Sequence, residues 1–216
     1  MAARAATSLG SQRCVWHWRT KTFRGDHILD LYSTQAAYPE LFDGYKAKYE
    51  TTIMRRFMLG IAHPKLGKLW NEVIHTSTIH PQLVADAKRS CGIPHEPTDY
   101  FVIPVERLRE LGLRCALWTY PPLGLYRKGQ MFTNNLLHKL GVGPDGLLGQ
   151  DVYEWLDFDN YRSLDTMPEY AMNKYRGWGA EIKEGKHPQI LTYDGVPHLF
   201  VDGKIPIEGL EVITID

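Results

Sequence analysis

The segment from Tyr38 to Ile61, YPELFDGYKAKYETTIMRRFMLGI, is predicted to be the element against which the rest of the chain packs. Its apolar residues recur at steps of three and four, the spacing that aligns side chains on one face of an α-helix. They are Phe42, Tyr45, Tyr49, Ile53, Phe57 and Ile61. Pro39 suits the first helical turn, and Gly60 followed by His63-Pro64 supplies a stop. The segment therefore predicts a helix of about six turns.

Two shorter helices are predicted between Pro64 and Cys91. The first has an apolar stripe formed by Leu66, Leu69, Trp70, Val73 and Ile74. The second begins after His80-Pro81 and has the stripe Leu83, Val84, Ala87 and Cys91. Helical spacing of the apolar residues is the basis of both predictions. With the long helix, they predict a mainly helical N-terminal half that has three helices between Pro39 and Cys91.

The middle of the chain is predicted to be irregular, because prolines and glycines interrupt every element in it. Residues 91–104, CGIPHEPTDYFVIP, read as an extended crossing segment with a short strand near Phe101 to Ile103. A short helix is predicted from Val105 to Leu111, with Gly112 as its stop. An extended stretch follows from Leu113, and a brief helix is predicted from Phe132 to Leu140.

The last part of the chain changes its periodicity. Asp165-Thr166, followed by Pro168 and Glu169, predicts the start of another helix. After Gln189, the pairs Asp194-Gly195 and Asp202-Gly203 punctuate β-branched and aromatic residues, a pattern typical of tight hairpin turns. A small C-terminal antiparallel β-meander is therefore predicted.

These predictions together describe an α+β fold in four parts. The parts are a basic N-terminal extension (1–37), a mainly helical core (38–140), an acidic loop and helix region (141–188) and the β-meander (189–216).

Composition and charge exclude several classes of protein. Hydrophobic residues make up 44% of the chain, which is ordinary for a globular protein. The net charge is +0, yet residues 1–150 hold 19 Lys and Arg against 12 Asp and Glu, and the remainder holds 6 against 13. A zero overall charge argues against nucleic acid as the main partner. No run is long and apolar enough to predict a transmembrane helix.

The N-terminus carries a possible targeting signal. The first 25 residues contain Arg4, Arg13, Arg19, Lys21 and Arg24, and the first acid is Asp26. A basic segment without acids is typical of mitochondrial targeting, and we interpret it as a retained import and docking arm. In the alternative, Trp16, His17 and Trp18 simply pack back onto the domain.

No catalytic residue, cofactor site or metal site is predicted. Residues 141–146 match G-x-G-x-x-G, but a predicted helix precedes the pattern and Pro144 removes an amide that would bind phosphate. His75 and His80 are five residues apart, which on a helix separates them by about 140°. No Ser or Cys lies in a motif for nucleophilic catalysis. The sequence therefore predicts that the chain is not an enzyme.

The aromatic content, 6 Trp, 12 Tyr and 7 Phe, favours protein–protein contacts. The residues predicted to bind a partner lie in basic or irregular segments: Arg4, Arg13, Trp16, Trp18, Arg19, Trp118, Tyr126 and Trp155.

The resulting functional prediction is a non-catalytic accessory subunit of a large mitochondrial membrane complex, either a respiratory-chain complex or the ATP synthase. It would lie on the matrix side or peripherally on the inner membrane, with other subunits as partners and no substrate of its own. A mitochondrial ribosomal protein and a small soluble metabolic enzyme are the alternatives.

Overall fold

A seven-stranded antiparallel sheet organises the part of the chain that the computed structural model describes, which is residues 13–50, 59–60, 62–118, 153–188, 190 and 196–216. The strand order is β6-β5-β7-β3-β1-β4-β9, and β2 pairs with β8 in a separate two-stranded sheet. The strands are β1 (Cys14–Arg19), β2 (His27–Ile28), β3 (Ile74–Ser77), β4 (Thr98–Pro104), β5 (Arg114–Trp118), β6 (Tyr153–Trp155), β7 (His198–Asp202), β8 (Ile205–Pro206) and β9 (Glu211–Ile215).

Five α-helices surround the sheets in the described residues, together with one 3-10 turn at Trp70–Glu72. The helices are α1 (Leu31–Ala37), α2 (Pro39–Glu50), α3 (Pro81–Ser90), α4 (Val105–Glu110) and α5 (Glu169–Lys183).

Strand β1 lies inside the large sheet, between β3 and β4. Trp16 stands opposite Ser77 on β3 and Val102 on β4. Because side chains alternate across a strand, Val15 and Trp16 enter opposite faces, and both are completely buried. The strand formed by CVWHWR therefore contributes Val15 to the core on one face of the sheet and Trp16 to the core on the other.

The sheet is covered on both faces. On one face, Val15, Phe101 and Val201 form a core with Leu108 of α4 and Ile205 of the small sheet. On the other face, Trp16, Tyr100 and Ile215 pack against Ala85 of α3. This two-sided burial explains why β7 and β4 contain runs of consecutive apolar residues rather than a strict alternation with polar ones.

Helix α5 packs outside α3, and one glycine permits their close approach. Tyr175 of α5 joins Val84 and Ala87 of α3 in a separate apolar cluster. A Cβ atom at Gly179 would lie 1.9 Å from the carbonyl oxygen of Cys91. Gly179 is therefore required by the packing, since any side chain there would collide with the main chain after α3.

The predicted helical N-terminal half is wrong. Between Pro39 and Cys91 the described residues contain two α-helices, α2 and α3, while the stripe from Leu66 to Ile74 forms a turn, a 3-10 turn and the start of β3. The spacing of that stripe was helical, but Ile74 and the following Thr76 are β-branched and pair with Val201 and Leu199 of β7. Tertiary pairing decided the structure of this segment.

The central role assigned to the Tyr38 to Ile61 segment is also wrong. Helix α2 covers Pro39–Glu50, and residues 51–58 and 61 lie outside the described residues. Among the side chains of α2 that the structure describes, Phe42 is the buried one. The Tyr45 hydroxyl lies 2.8 Å from Oγ1 of Thr20, just after β1. The helix rests on the margin of a fold whose centre is the sheet.

The predicted C-terminal meander is wrong because its strands do not pair with one another. Strand β7 lies between β5 and β3, β8 pairs with β2, and β9 pairs with β4. The turn at Asp202-Gly203 does separate two strands, whereas Asp194-Gly195 lies outside the described residues. The meander prediction assumed local pairing, and the chain instead uses distant partners.

The middle of the chain is more regular than predicted. The strand expected near Phe101 to Ile103 is confirmed and extends over seven residues as β4. Helix α4 is also confirmed, and Gly112 after it has a φ of +64°, which suits its predicted role as a stop. The predicted helix from Phe132 to Leu140 lies outside the described residues.

Candidate functional site

Arg13, one of the residues predicted to bind a partner, is engaged within the chain. Its guanidinium forms an ion pair with Glu106 of α4 and donates to the main-chain oxygens of Phe158 and Asp159. These contacts hold the start of β1 against α4 and against the segment that follows β6. Arg4 and Tyr126 lie outside the described residues.

Trp16, Trp18 and Arg19 occupy three different environments on β1. Trp16 has 0% exposure and packs against the ring of His80, with 5.1 Å between ring centroids. Trp18 is 37% exposed. Arg19 pairs with Asp99 at 3.4 Å and lies over the ring of Phe101. Trp18 therefore offers the apolar surface that Trp16 does not.

Trp118 belongs to a group of rings on one face of the sheet, which we call the aromatic–histidine cluster. Its rings come from β3, β5, β6, β7 and the segment before β3, and their centroids lie 4.4 to 6.3 Å from at least one other member. Its members are His63, Trp70, His75, Trp118, Tyr153, His198 and Phe200. The sheet brings these rings together although they are far apart in sequence.

His63 is the most enclosed histidine of the cluster. The side chain has no exposed surface, and its Nδ1 accepts hydrogen bonds from the amides of Lys65 and Leu66, each at 3.3 Å. The proton of the neutral ring is therefore on Nε2, which is buried and has no hydrogen-bond partner among the described residues. Burial, with a smaller effect of Lys65, lowers the pKa of His63 to about 4. His63 is consequently neutral at pH 7.

His75 has a structural role in the same cluster. Its Nε2 donates to the carbonyl oxygen of Trp70 at 2.8 Å, and its own carbonyl oxygen accepts from Nδ1 of His17 at 2.9 Å. These bonds join the 3-10 turn to β3 and β3 to β1. His80 lies elsewhere, against Trp16. No group of three or more His, Cys, Asp or Glu in the described ranges is placed to hold a metal ion.

Tyr153 and two cysteines, Cys14 and Cys115, have raised pKa values, so their side chains resist deprotonation. Burial raises the pKa of the Tyr153 hydroxyl, and burial with the nearby Asp202 carboxylate raises the pKa of the Cys115 thiol to about 12. Cys14 also has a raised pKa, first through burial and then through Glu106 and Glu211. A nucleophilic cysteine requires the opposite shift. The thiols of Cys14 and Cys115 are therefore poorly suited to nucleophilic chemistry.

Trp155 presents the largest apolar exposure among the described residues. It is 52% exposed, and its strand β6 is an edge of the large sheet. Trp155 belongs to a row of directly opposed residues that crosses four strands. The row continues through Ala116 on β5, Phe200 on β7 and His75 on β3. Continuing the β1–β3 register places Trp18 opposite His75. The two exposed tryptophans therefore project from the same face, four strands apart, or about 19 Å at ordinary strand spacing.

Most of the cluster was missed by reasoning from sequence. His63, Tyr153, His198 and Phe200 have no motif in common, and their approach depends on the pairing of β3, β5, β6 and β7. The signal in the sequence was the high density of histidines and aromatic residues in these segments. That density does not tell which of the rings contact one another. Trp18 and Trp155 were among the residues predicted to bind a partner, a prediction made for aromatic residues in segments without a predicted regular structure.

Comparison with known proteins supplies no family for this chain: no family model, curated protein or solved structure shows significant similarity to it. Within the described ranges, no helix combines the length and apolar character needed to cross a membrane.

Proposed function

We propose that this chain is a non-catalytic accessory subunit of a large mitochondrial assembly, a respiratory-chain complex or the ATP synthase, to which it binds through protein–protein contacts. The observation that carries the proposal is the exposure of Trp155 on an edge strand. A tryptophan buries roughly 150–250 Å² when enclosed, so a half-exposed ring leaves about 100 Å² for a partner. At about 25 cal/mol per Å², this surface contributes on the order of 2 to 3 kcal/mol to binding.

Two further observations support the proposal. Trp18 is exposed on the same face of the sheet, so one partner surface could cover both tryptophans, and paired aromatic anchors are typical of protein interfaces. The acid-free basic N-terminus favours a mitochondrial location, since mitochondrial targeting segments have this composition.

The test is the mass of the native particle that contains the chain, measured in extracts of mitochondria by native electrophoresis. We expect the wild-type chain in a particle far larger than itself. Trp155→Ala is expected to raise the dissociated fraction at least tenfold, as about 1.4 kcal/mol or more of binding energy is lost. Leu111→Ala, a similarly exposed apolar residue after α4, is the matched control and is expected to have little effect.

Two results would contradict the proposal. A wild-type chain that is absent from mitochondria, or that runs there as a free monomer, has no assembly to belong to. Equal dissociation of the Trp155→Ala and Leu111→Ala variants would show that Trp155 is not an anchor.

A further inference from the structure

Strand β9 forms the other edge of the large sheet. It pairs with β4 through five consecutive residue pairs, from Thr98 opposite Ile215 to Val102 opposite Glu211. No strand lies beyond it in the described part of the chain. Among the described residues, one side of its main chain therefore has no partner strand and is available for pairing.

Apart from the charged Glu211, β9 itself carries none of the residues that usually block strand addition. Its sequence, EVITI, has strongly β-forming residues and contains no proline or lysine. Val212 is 41% exposed on one face, and Ile213 is half-buried on the other. A strand added at this edge would cover apolar surface on both faces of the sheet while satisfying the open amides and carbonyls.

The charge beside β9 indicates which kind of strand would fit. Glu208, in the turn before β9, and Glu211, its first residue, are exposed and have no ion-pair partner among the described residues. The nearby Arg89 is already engaged with Asp86 and with the main-chain oxygen of Asp216. An incoming segment therefore meets uncompensated negative charge.

From these features, and resting on the proposed accessory role, we infer that β9 binds an extended segment of a partner subunit in which Lys or Arg alternates with apolar residues. Main-chain pairing provides the affinity in this mode of binding, and the alternating side chains provide the specificity. A second copy of this chain fits less well, because β9 and the turn before it carry Glu208 and Glu211 and contain no Lys or Arg that could pair with the same acids of another copy.

The direct test uses the purified full chain and a synthetic peptide, Lys-Val-Lys-Val-Lys-Val-Lys, with blocked ends and a fluorescent label. We expect saturable binding by fluorescence anisotropy and slower amide hydrogen exchange in Glu211–Ile215. The double substitution Glu208→Gln/Glu211→Gln is expected to weaken binding at least fivefold, since it removes the attraction while preserving side-chain shape. Glu154→Gln on the opposite edge strand, β6, is the matched control and is expected to leave binding unchanged.

Several results would overturn the inference. They are absence of peptide binding, protection of segments other than 211–215, equal binding of an alternating Glu-Val peptide, or dimerisation of the free chain through β9 in analytical ultracentrifugation. A second arm introduces Glu208→Gln/Glu211→Gln into the native particle, where at least fivefold greater dissociation is expected. If this variant stays assembled while Trp155→Ala dissociates, the β9 inference fails and the accessory role stands.

Discussion

Strands β1 and β6 both contribute tryptophans to the same face of the large sheet, with opposite results. Trp16 of β1 has 0% exposure because β3 and β4 flank its strand and α3 covers its ring. Trp155 of β6 is 52% exposed, and within the described ranges β6 has one neighbouring strand, β5. Both residues were predicted from composition to bind a partner. The comparison teaches that the burial of an aromatic residue on a strand depends on whether that strand lies inside the sheet or at its edge.

The strongest test of this comparison is to truncate the two tryptophans. Trp16→Ala is expected to lower the free energy of unfolding by about 3 to 5 kcal/mol, since it leaves a large cavity between the sheet and α3. Trp155→Ala is expected to change it by about 0.5 kcal/mol or less. Urea unfolding followed by far-ultraviolet circular dichroism measures both. Similar losses in the two variants would contradict the contrast between core and surface.

A second test concerns His63, which contacts Tyr153 of β6 from within the core. In the unfolded chain a histidine has a pKa near about 6.5, whereas burial lowers the pKa of His63 to about 4 in the folded protein. The unfolded state therefore binds more protons between these values, and stability falls as the pH falls. From pH 7 to pH 5 the free energy of unfolding is expected to drop by about 2 kcal/mol through this residue.

The pH effect is checked by urea unfolding at several pH values. His63→Asn keeps an acceptor for the amides of Lys65 and Leu66 and is expected to remove this part of the pH dependence. His187→Asn, at an exposed position, is the control and is expected to preserve it. An unchanged slope in His63→Asn would show that another group controls the acid response.

The smallest expected effect tests how β1 is fastened at its start. Arg13→Gln removes the ion pair with Glu106 and bonds to two main-chain oxygens, and we expect a loss of about 1 to 2 kcal/mol after allowance for solvent screening. Arg176→Gln, which removes the exposed pair with Glu169, is expected to have a smaller effect, because solvent screens an ion pair at the surface. Thermal unfolding at low and high salt compares the two. A larger loss for Arg176→Gln would refute the proposed fastening of β1.

Local elements of the fold were predictable where their signals are local. The start of α3 at His80-Pro81, helix α4 with its stop at Gly112, and the centre of β4 all follow from residues within a few positions of one another. Proline geometry and the conformational freedom of glycine act at this range, so neighbouring sequence is sufficient.

The sheet was not predictable in the same way, because no signal within β1 identifies β3 and β4 as its neighbours. The segment CVWHWR was interpreted as part of a basic docking arm since its charges were conspicuous, although the structure places it within the sheet. Likewise, Trp155 could be proposed as an anchor from the sequence, but the enclosure of His63 by Tyr153 and Phe200 brings together three distant regions of the chain, two of them strands. Long-range pairing is the information that one sequence lacks.

The order of the strands also has a consequence for synthesis. Thr76 of β3 donates to the carbonyl oxygen of Leu199 of β7 across 123 residues, and β7 alone joins the β6–β5 pair to β3, β1 and β4. Until the ribosome has released β7, the sheet remains as two separate fragments whose unpaired edges face the solvent. Closing such long loops is slow, on the order of milliseconds to seconds for sheet proteins, and partly paired strands aggregate readily. The nascent chain therefore has its greatest need of a chaperone before β7 has left the ribosome.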